Sequence, residues 1–325
     1  MKKIYLIILF QFLFADYGGG YAGSSFRYGT NAREFSLSGS LVADKTPGFY
    51  IFSNPALLKY VRSNELGFSY QAMALDRSIQ SMCFVRPLPP SGGVGMAILR
   101  AGTRNIMGKN SMNENTQIFT SQDILGIISF GVSFSSKIAL GLNIKAFFSN
   151  IAPEIIEKQS SSGIGIDLGL LYKLNRNIIF GGVIENLLGN YNWKITNNSD
   201  QDSYTEVLPQ IMKLGISYKG LKSTTIYLQE DMVKIPTNGN INFRSRLGME
   251  YHMLSGIKIR IGLRQVLGMI SEMEKNEKLF STSFGVGIPL KLWNSKFARM
   301  DYALDPGSVG EGLSHLFSLY VKFKK

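Results

Sequence analysis

Charged side chains concentrate on strand-like segments in the last third of the sequence. This candidate cluster comprises Arg244, Arg246, Glu250, His252, Lys258, Arg260, Arg264, Asp231, Arg299 and Asp301. Guanidinium groups bind oxyanions through charge-assisted hydrogen bonds, so one function is to attract an anionic head group or chain terminus. Buried charges must also be paired, and opposite charges on neighbouring strands achieve this. The alternative is therefore an internal network of ion pairs.

Signals for enzymatic chemistry are weak. His252, with Glu250 and Asp231, has the composition of a carboxylate-oriented general base. No nucleophile elbow, phosphate loop, metal-ligand spacing or dinucleotide fingerprint accompanies these residues in the sequence. Cys83 is the single cysteine, which excludes a disulfide framework and a cysteine metal cluster. We expect a protein without catalytic residues, cofactor or bound metal.

The elements that would position these residues alternate apolar and polar side chains with a period of two. Such alternation predicts strands with one face on an apolar phase. In one segment Ile164, Ile166 and Leu168 alternate with Gly165 and Asp167. The fourteen predicted strands are 65–75, 78–87, 92–104, 122–136, 137–150, 161–174, 177–188, 210–219, 222–233, 241–254, 256–267, 279–291, 296–304 and 313–324.

The connections between these strands are alternately short and long. Short turns and long loops on opposite sides are typical of outer-membrane barrels, with the short turns in the periplasm. The predicted long loops are 105–121, 151–160, 189–209, 233–240, 267–278 and 305–312. Only the first hairpin, at Asp76-Arg77, is short where a long loop is expected.

Strand length distinguishes a soluble β-sandwich from a transmembrane β-barrel. A soluble sandwich has strands of about five to six residues, whereas a tilted strand crosses a bilayer with about 9–11. In lipid the sheet must close, because every backbone hydrogen bond needs a partner. We therefore predict an all-β fold for 65–325: a 14-stranded antiparallel transmembrane β-barrel in contact with the lipid of the bacterial outer membrane.

The residues before the first strand differ from the rest. Residues 1–15 have the basic start and apolar core of a secretory signal peptide. Residues 16–64 are predicted to form a short N-terminal hatch-like segment, with a helical turn after Pro55. Glycines on the polar strand faces leave room in the lumen for this segment or for a ligand; they are Gly163, Gly165, Gly169, Gly285 and Gly287.

The net charge of +12 does not point to nucleic acid. Nucleic-acid binding is typically carried by Lys and Arg clustered on one helix or stripe. Here the basic residues are spread over turns and strand faces, so no nucleic-acid partner is expected.

Two stretches carry a family resemblance. Residues 49–60, FYIFSNPALLKY, and the later turn PLPPSGGVG resemble the N-terminal signature of PorV/PorQ-type outer-membrane proteins, a group similar to the FadL transporters. Residues 298–323 resemble the closing hairpin of that family, with an Asp-Tyr-Ala strand and a Ser-His-x-x-Ser-Leu strand. The resemblance implies that Asn54, Pro55 and Ala56 match an Asn-Pro-Ala element of a hatch inside the barrel.

The resemblance also implies a non-enzymatic role. PorV-type members bind the C-terminal sorting domains of proteins that leave by type IX secretion, and FadL-type members pass hydrophobic molecules. We expect the first role, in which the barrel supports secretion or surface attachment by binding exported partners or other secretion components. The alternative is FadL-like transport of a hydrophobic small-molecule ligand across the outer membrane. Fold alone does not decide between them.

Overall fold

The computed structural model describes residues 22–152, 158–196, 201–234, 236, 239–265, 280–292, 295–305 and 313–323. The predicted signal peptide and the predicted loop 267–278 lie outside these residues. The strands are β1 Glu65–Ala72, β2 Arg77–Leu88, β3 Gly92–Lys109, β4 Asn115–Ser133, β5 Ile138–Ala152, β6 Lys158–Lys173, β7 Ile178–Glu185, β8 Asn190–Thr196, β9 Gln201–Val207, β10 Gln210–Leu221, β11 Thr224–Lys234, β12 Ile241–His252, β13 Lys258–Gln265, β14 Phe280–Leu290, β15 Ser295–Asp305 and β16 Ser314–Phe323.

Fourteen of the strands in the described part of the chain close into an antiparallel barrel. Neighbours in sequence pair in order from β1 to β7 and from β10 to β16, and β7 pairs with β10. The seam is formed by β1 and β16, whose register runs from Glu65 opposite Lys322 to Ala72 opposite His315. The predicted 14-stranded barrel is confirmed.

Apolar side chains cover the outside of the barrel, as the alternation predicts. On β5, Leu140 and Ile144 are exposed, whereas Ala139 and Asn143 face the interior and are buried. A closed barrel with an apolar exterior satisfies its backbone within the sheet and presents hydrocarbon to lipid. The chain is therefore a barrel of the bacterial outer membrane. None of the helices in the described residues is long and apolar enough to span a bilayer.

Two predicted loops are wrong. Residues 105–121 mostly extend β3 and β4 to 18 and 19 residues, longer than a bilayer crossing needs. Residues 189–209 contain the hairpin of β8 and β9, and β8 also pairs with β6. The hairpin continues β7 and β10 after two interruptions, at Asn186 with its positive φ of 59° and at Pro209. The sequence predicts a loop here because the segment is long and polar.

Tyrosines at the strand ends mostly face outward, as an interfacial belt requires. Tyr70, Tyr172, Tyr218 and Tyr251 are exposed. Tyr320 is not part of such a belt, because it faces the lumen and is only 1% exposed.

The lumen is filled by the described part of the N-terminal segment, residues 22–64, which we call the plug. Its helices are a 3-10 helix Ser24–Arg27, α1 Ala32–Ser36, α2 Tyr50–Ser53 and a 3-10 helix Pro55–Tyr60. Asn31 caps α1 by accepting a hydrogen bond from the Glu34 backbone N–H at 3.0 Å. The predicted turn after Pro55 corresponds to the second 3-10 helix.

Inward glycines let the plug backbone lie directly on the barrel wall. A Cβ at Gly141 would overlap the backbone of Ala56, and one at Gly169 would overlap the side chain of Asn54. The same close approach to the plug occurs at Gly93, Gly131, Gly181, Gly215, Gly248, Gly262 and Gly285. Of the five glycines predicted to leave room, Gly169 and Gly285 adjoin the plug. Gly163, Gly165 and Gly287 adjoin other parts of the barrel.

The contact at Gly141 can be tested by substitution. We expect Gly141→Val to lower the free energy of unfolding by about 1–3 kcal/mol, because the added atoms collide with backbone rather than with a flexible side chain. Unfolding in urea, followed by heat-modified gel mobility, measures the effect. Gly126→Val is the matched control, since the nearest atom to its Cβ lies 4.0 Å away. Equal stabilities of the two variants would contradict this account of the plug.

Candidate functional site

Glu250 is the centre of a buried ion-pair cluster that joins the plug to the wall. Its side chain lies on β12 and is 0% exposed. Its Oε2 lies 3.0 Å from Arg33 Nε of helix α1 and 2.7 Å from Arg260 Nε of β13. A carboxylate buried this deeply requires such partners, since an unpaired charge in the interior is strongly destabilising.

The cluster extends across three more elements. Arg260 Nη1 lies 2.8 Å from Asp301 Oδ1, and Arg299 Nε lies 2.7 Å from Asp301 Oδ2. Arg33 also binds Asp44 of the plug, and Tyr227 Oη donates to Asp44 Oδ1 at 3.1 Å. We call this set the periplasmic ion-pair cluster; its members are Arg33, Asp44, Glu250, Arg260, Arg299 and Asp301.

His252 and Lys258 lie at the edge of this cluster. His252 Nε2 is 3.2 Å from Glu250 Oε1, and Lys258 Nζ is 3.8 Å from the same oxygen. Asp231 is not near them, because it lies opposite Arg244 and Glu250 lies opposite Thr225 in the β11–β12 register. The structure therefore does not bring His252, Glu250 and Asp231 together as the predicted general base. Glu250 is also already paired with Arg33 and Arg260.

A second ion-pair cluster lies nearer the extracellular end of the lumen. Asp231 Oδ2 is 2.7 Å from Arg246 Nη2, whose Nη1 donates to the Ser38 carbonyl oxygen of the plug at 2.9 Å. Arg264 Nη2 is 3.4 Å from Asp305 Oδ2, and Arg244 is also on the lumen face. The ten sequence-predicted residues thus divide between two clusters rather than forming one.

Several charged residues of the lumen are not among the ten that the sequence predicts. Arg33 and Asp44 belong to the plug, where no strand periodicity marks an inward side chain. Lys213 and Glu185, whose side chains lie 2.6 Å apart, sit on the lumen faces of β10 and β7. The alternation in those two strands would have revealed the pair.

Asn54, Pro55 and Ala56 lie where the plug meets the wall. Asn54 is fully buried, and its Nδ2 donates to the carbonyl oxygens of Val42 at 2.8 Å and Leu170 at 3.2 Å. Its Oδ1 accepts from the backbone N–H of Ala56 at 3.0 Å. Asn54 thus caps the second 3-10 helix and ties the plug to β6, a positioning role.

Above the plug lies a chamber that is lined by both apolar and charged side chains. Its free space is about 110 Å³. The apolar side chains include Phe26, Leu99, Leu125, Ile127, Phe147 and Leu208. The charged side chains include Glu34, Lys145, Asp167, Glu185, Lys213 and Arg246. Burial raises the pKa of Glu34, and hydrogen bonds from Thr30 oppose that effect.

A ladder of aromatic rings connects this chamber to the extracellular hairpin. Phe26 lies 5.8 Å from Phe147 and Phe147 lies 5.7 Å from Tyr191, between ring centroids. Tyr191 and Trp193 are 5.9 Å apart, and Trp193 stacks on Tyr204 at 6.1 Å. Tyr204 on β9 is 51% exposed, so the ladder runs from the surface to the chamber.

In the described ranges, no group of three or more His, Cys, Asp or Glu side chains is arranged to hold a metal ion. The charged residues instead pair with one another across strands and with the plug. The charged side chains of the lumen therefore hold the plug against the barrel wall.

The fold is similar to that of known outer-membrane channels. Similar solved structures include the Pseudomonas putida toluene transporter TodX, with 13% identity, a TM-score of 0.56 and coverage of 94% of this chain and 98% of that one. The CymD monoaromatic hydrocarbon channel is 13% identical, with a TM-score of 0.61 and coverage of 91% of this chain and 98% of that one. A Pseudomonas aeruginosa FadL homologue is 10% identical, with a TM-score of 0.58 and coverage of 90% of this chain and 98% of that one.

No protein-family model matches the sequence, and no curated protein sequence matches it significantly. At these low identities the structural likeness shows the fold, which is a FadL-like barrel. Two of these neighbours are named for transport, one as a toluene transporter and one as a monoaromatic hydrocarbon channel.

Removing the central charge tests the periplasmic ion-pair cluster. We expect Glu250→Gln to destabilise the fold by about 3–5 kcal/mol, because Arg33 and Arg260 lose their shared carboxylate while remaining buried. Chemical unfolding of the detergent-solubilised protein measures the change, and protease cleavage within the plug should accelerate. Glu114→Gln, on the exposed turn after β3, is the control and should change neither. Wild-type stability of Glu250→Gln would refute the central role of this carboxylate.

Proposed function

We propose that this barrel is a FadL-like channel that takes up hydrophobic small molecules across the outer membrane. The observation that carries the proposal is the aromatic ladder from exposed Tyr204 to Phe26 in the chamber. Phe147, Tyr191 and Trp193 are buried, so a hydrophobic molecule would move along the ladder by replacing ring–ring contacts with ring–ligand contacts. Aromatic side chains have little conformational freedom to lose, which keeps the entropic cost of this exchange low. The structural neighbours named as hydrocarbon channels support this function over secretion.

The chamber suits a small ligand with an apolar body. A cavity of about 150 Å³ lined by Leu, Ile and Phe binds benzene, and this chamber has about 110 Å³ of free space. Lys145 and Lys213 also line the chamber, where they pair with Asp167 at 2.8 Å and with Glu185 at 2.6 Å, so a polar end of the ligand would meet ion pairs rather than free cations. Below the chamber the plug occupies the lumen, so onward passage requires plug residues to shift.

A second candidate function is the PorV/PorQ-like role of binding exported proteins. It is favoured by the described edge of β9, which pairs with β8 on one side only. An exposed strand edge offers backbone donors and acceptors to a partner strand. The lumen filled by the plug and the ordered extracellular ends of β3 and β4 also suit a protein-binding surface.

Uptake assays test the channel function. Cells that express the protein should accumulate toluene or a long-chain fatty acid faster than cells with an empty vector. We expect Phe26→Arg to reduce that uptake several-fold, because a guanidinium at the end of the ladder is costly to desolvate beside an apolar ligand. Ser24→Arg on the same 3-10 helix is the control, since Ser24 is exposed. Uptake no faster than the empty vector for either compound class would reject the channel.

Photo-cross-linking tests the second candidate. A photoreactive amino acid at Ser203, which is exposed on β9, should capture exported proteins that share a C-terminal domain if the edge binds them. The same group at Met249, on the lipid-facing side of β12, is the control. Cross-links to lipid alone at both positions would reject this function while leaving the uptake result unaffected.

A further inference from the structure

A cavity at the periplasmic end of the barrel is separate from the chamber. It lies between the plug and the ends of β7, β10, β11, β12 and β13, with about 430 Å³ of free space. Its basic side chains are Lys45, Lys219, Lys258 and His252, its one carboxylate among the described residues is that of Asp44, and its neutral polar side chains include Asn177, Ser217 and Thr225. We call it the periplasmic cavity.

The basic side chains reach this cavity from four different elements. Lys45 belongs to the plug, Lys219 to the end of β10, His252 to the end of β12 and Lys258 to the start of β13. Convergence from separate elements brings like charges together, which costs free energy unless an opposite charge is near. Burial first, and then repulsion from Lys219 and Lys173, lowers the pKa of Lys45.

His252 and Lys258 contact Glu250, whereas Lys45 and Lys219 form no ion pair within the described residues. Asp44 attracts Lys45, but this attraction is smaller than the effects that lower its pKa. Asp44 is occupied by Arg33 and by the Tyr227 hydroxyl, and it also accepts from the Thr46 backbone N–H at 3.1 Å. Glu250 and Asp301 are occupied by arginines. Lys45 Nζ contacts only a carbonyl oxygen in the described structure, that of Arg176 at 3.4 Å. The region therefore holds more cationic than anionic groups.

The periplasmic rim of the barrel is also positively charged. Its tight turns and flanking strand ends carry basic residues, among them Arg86, Lys137, Lys173, Arg176, Lys222 and Lys291. Lys219 directly follows exposed Tyr218 of the aromatic belt, so the cavity lies at the height of the lipid head groups. A positive rim at this height raises the local concentration of anions.

We propose that the periplasmic cavity is a binding site for a phosphate group, held by Lys45 and Lys219 with hydrogen bonds from the Asn177 and Thr225 side chains; the Ser217 hydroxyl is not a donor here, because it donates to the Ala43 carbonyl oxygen at 2.9 Å. Lysine is a common point-charge ligand of phosphate, and hydroxyl and amide groups complete its hydrogen bonding. The phosphate belongs either to the head group of an anionic phospholipid in the inner leaflet or to a soluble phosphate ester. The site is independent of the chamber and of the proposed uptake.

Binding to the whole purified protein in neutral detergent tests the site. The probes are dioctanoyl phosphatidylglycerol, dioctanoyl phosphatidylcholine and glycerol phosphate, followed by native mass spectrometry and thermal shift. We expect saturable binding of an anionic probe that weakens as salt increases. The double variant Lys45→Gln/Lys219→Gln should bind at least tenfold more weakly. Lys258 is left unchanged because it contacts Glu250.

Matched variants make the outcome decisive. Lys137→Gln/Lys291→Gln removes the same charge from two periplasmic turns that do not line the cavity, and it should weaken binding by less than about twofold through the lost rim charge. Lys45→Arg/Lys219→Arg keeps the charge and should restore binding if the glutamine variant folds poorly. Selective binding of phosphatidylglycerol identifies a lipid head group, and equal binding of glycerol phosphate identifies a soluble ester. Absence of binding by both, or equal binding by the two glutamine variants, overturns the proposal.

Discussion

The pairing of Glu250 with Arg33 is the constraint on which the arrangement of the lumen depends. It joins a wall strand to a plug helix across a sequence separation that no local interaction bridges. A barrel of this size must fill its interior, and polar interior groups must find partners. The plug supplies both volume and counter-charges, so its path is fixed by where the wall places carboxylates and arginines. Arg260, which also contacts Glu250, binds Asp301 and so links β15 to the same network.

Small side chains on the wall complement this electrostatic constraint. Asn54 can donate to the Leu170 carbonyl oxygen because Gly169 leaves its inward position empty. An inward methyl group there would separate the two hydrogen-bonding groups. The wall therefore positions the plug in two ways, by polar contacts, namely an ion pair with Arg33 and a hydrogen bond to Asp44, and by close backbone approach at glycines along the plug. These two kinds of contact reinforce each other, because each fixes the position from which the other is made.

The sequence predicts the barrel well because lipid imposes a strict rule on every strand. Period-two alternation located all fourteen barrel strands, and Leu140 and Ile144 face outward as expected. The β8–β9 hairpin was missed, since it projects beyond the bilayer where that rule no longer applies. The candidate charges were placed on the correct face, but their division into two clusters depends on strand register and on Arg33. Register follows from long-range pairing, which a local pattern does not encode.

The seam between the first and last strands has a consequence for biogenesis. The plug immediately precedes β1, and the Phe323 backbone N–H donates to the Asn64 carbonyl oxygen where the chain leaves the plug. Closure at this seam is possible only after β16 has been synthesised and exported. Until β16 pairs with β1, the sheet has two edges with unpaired backbone groups, and the glycine-lined face that contacts the plug is open at the seam.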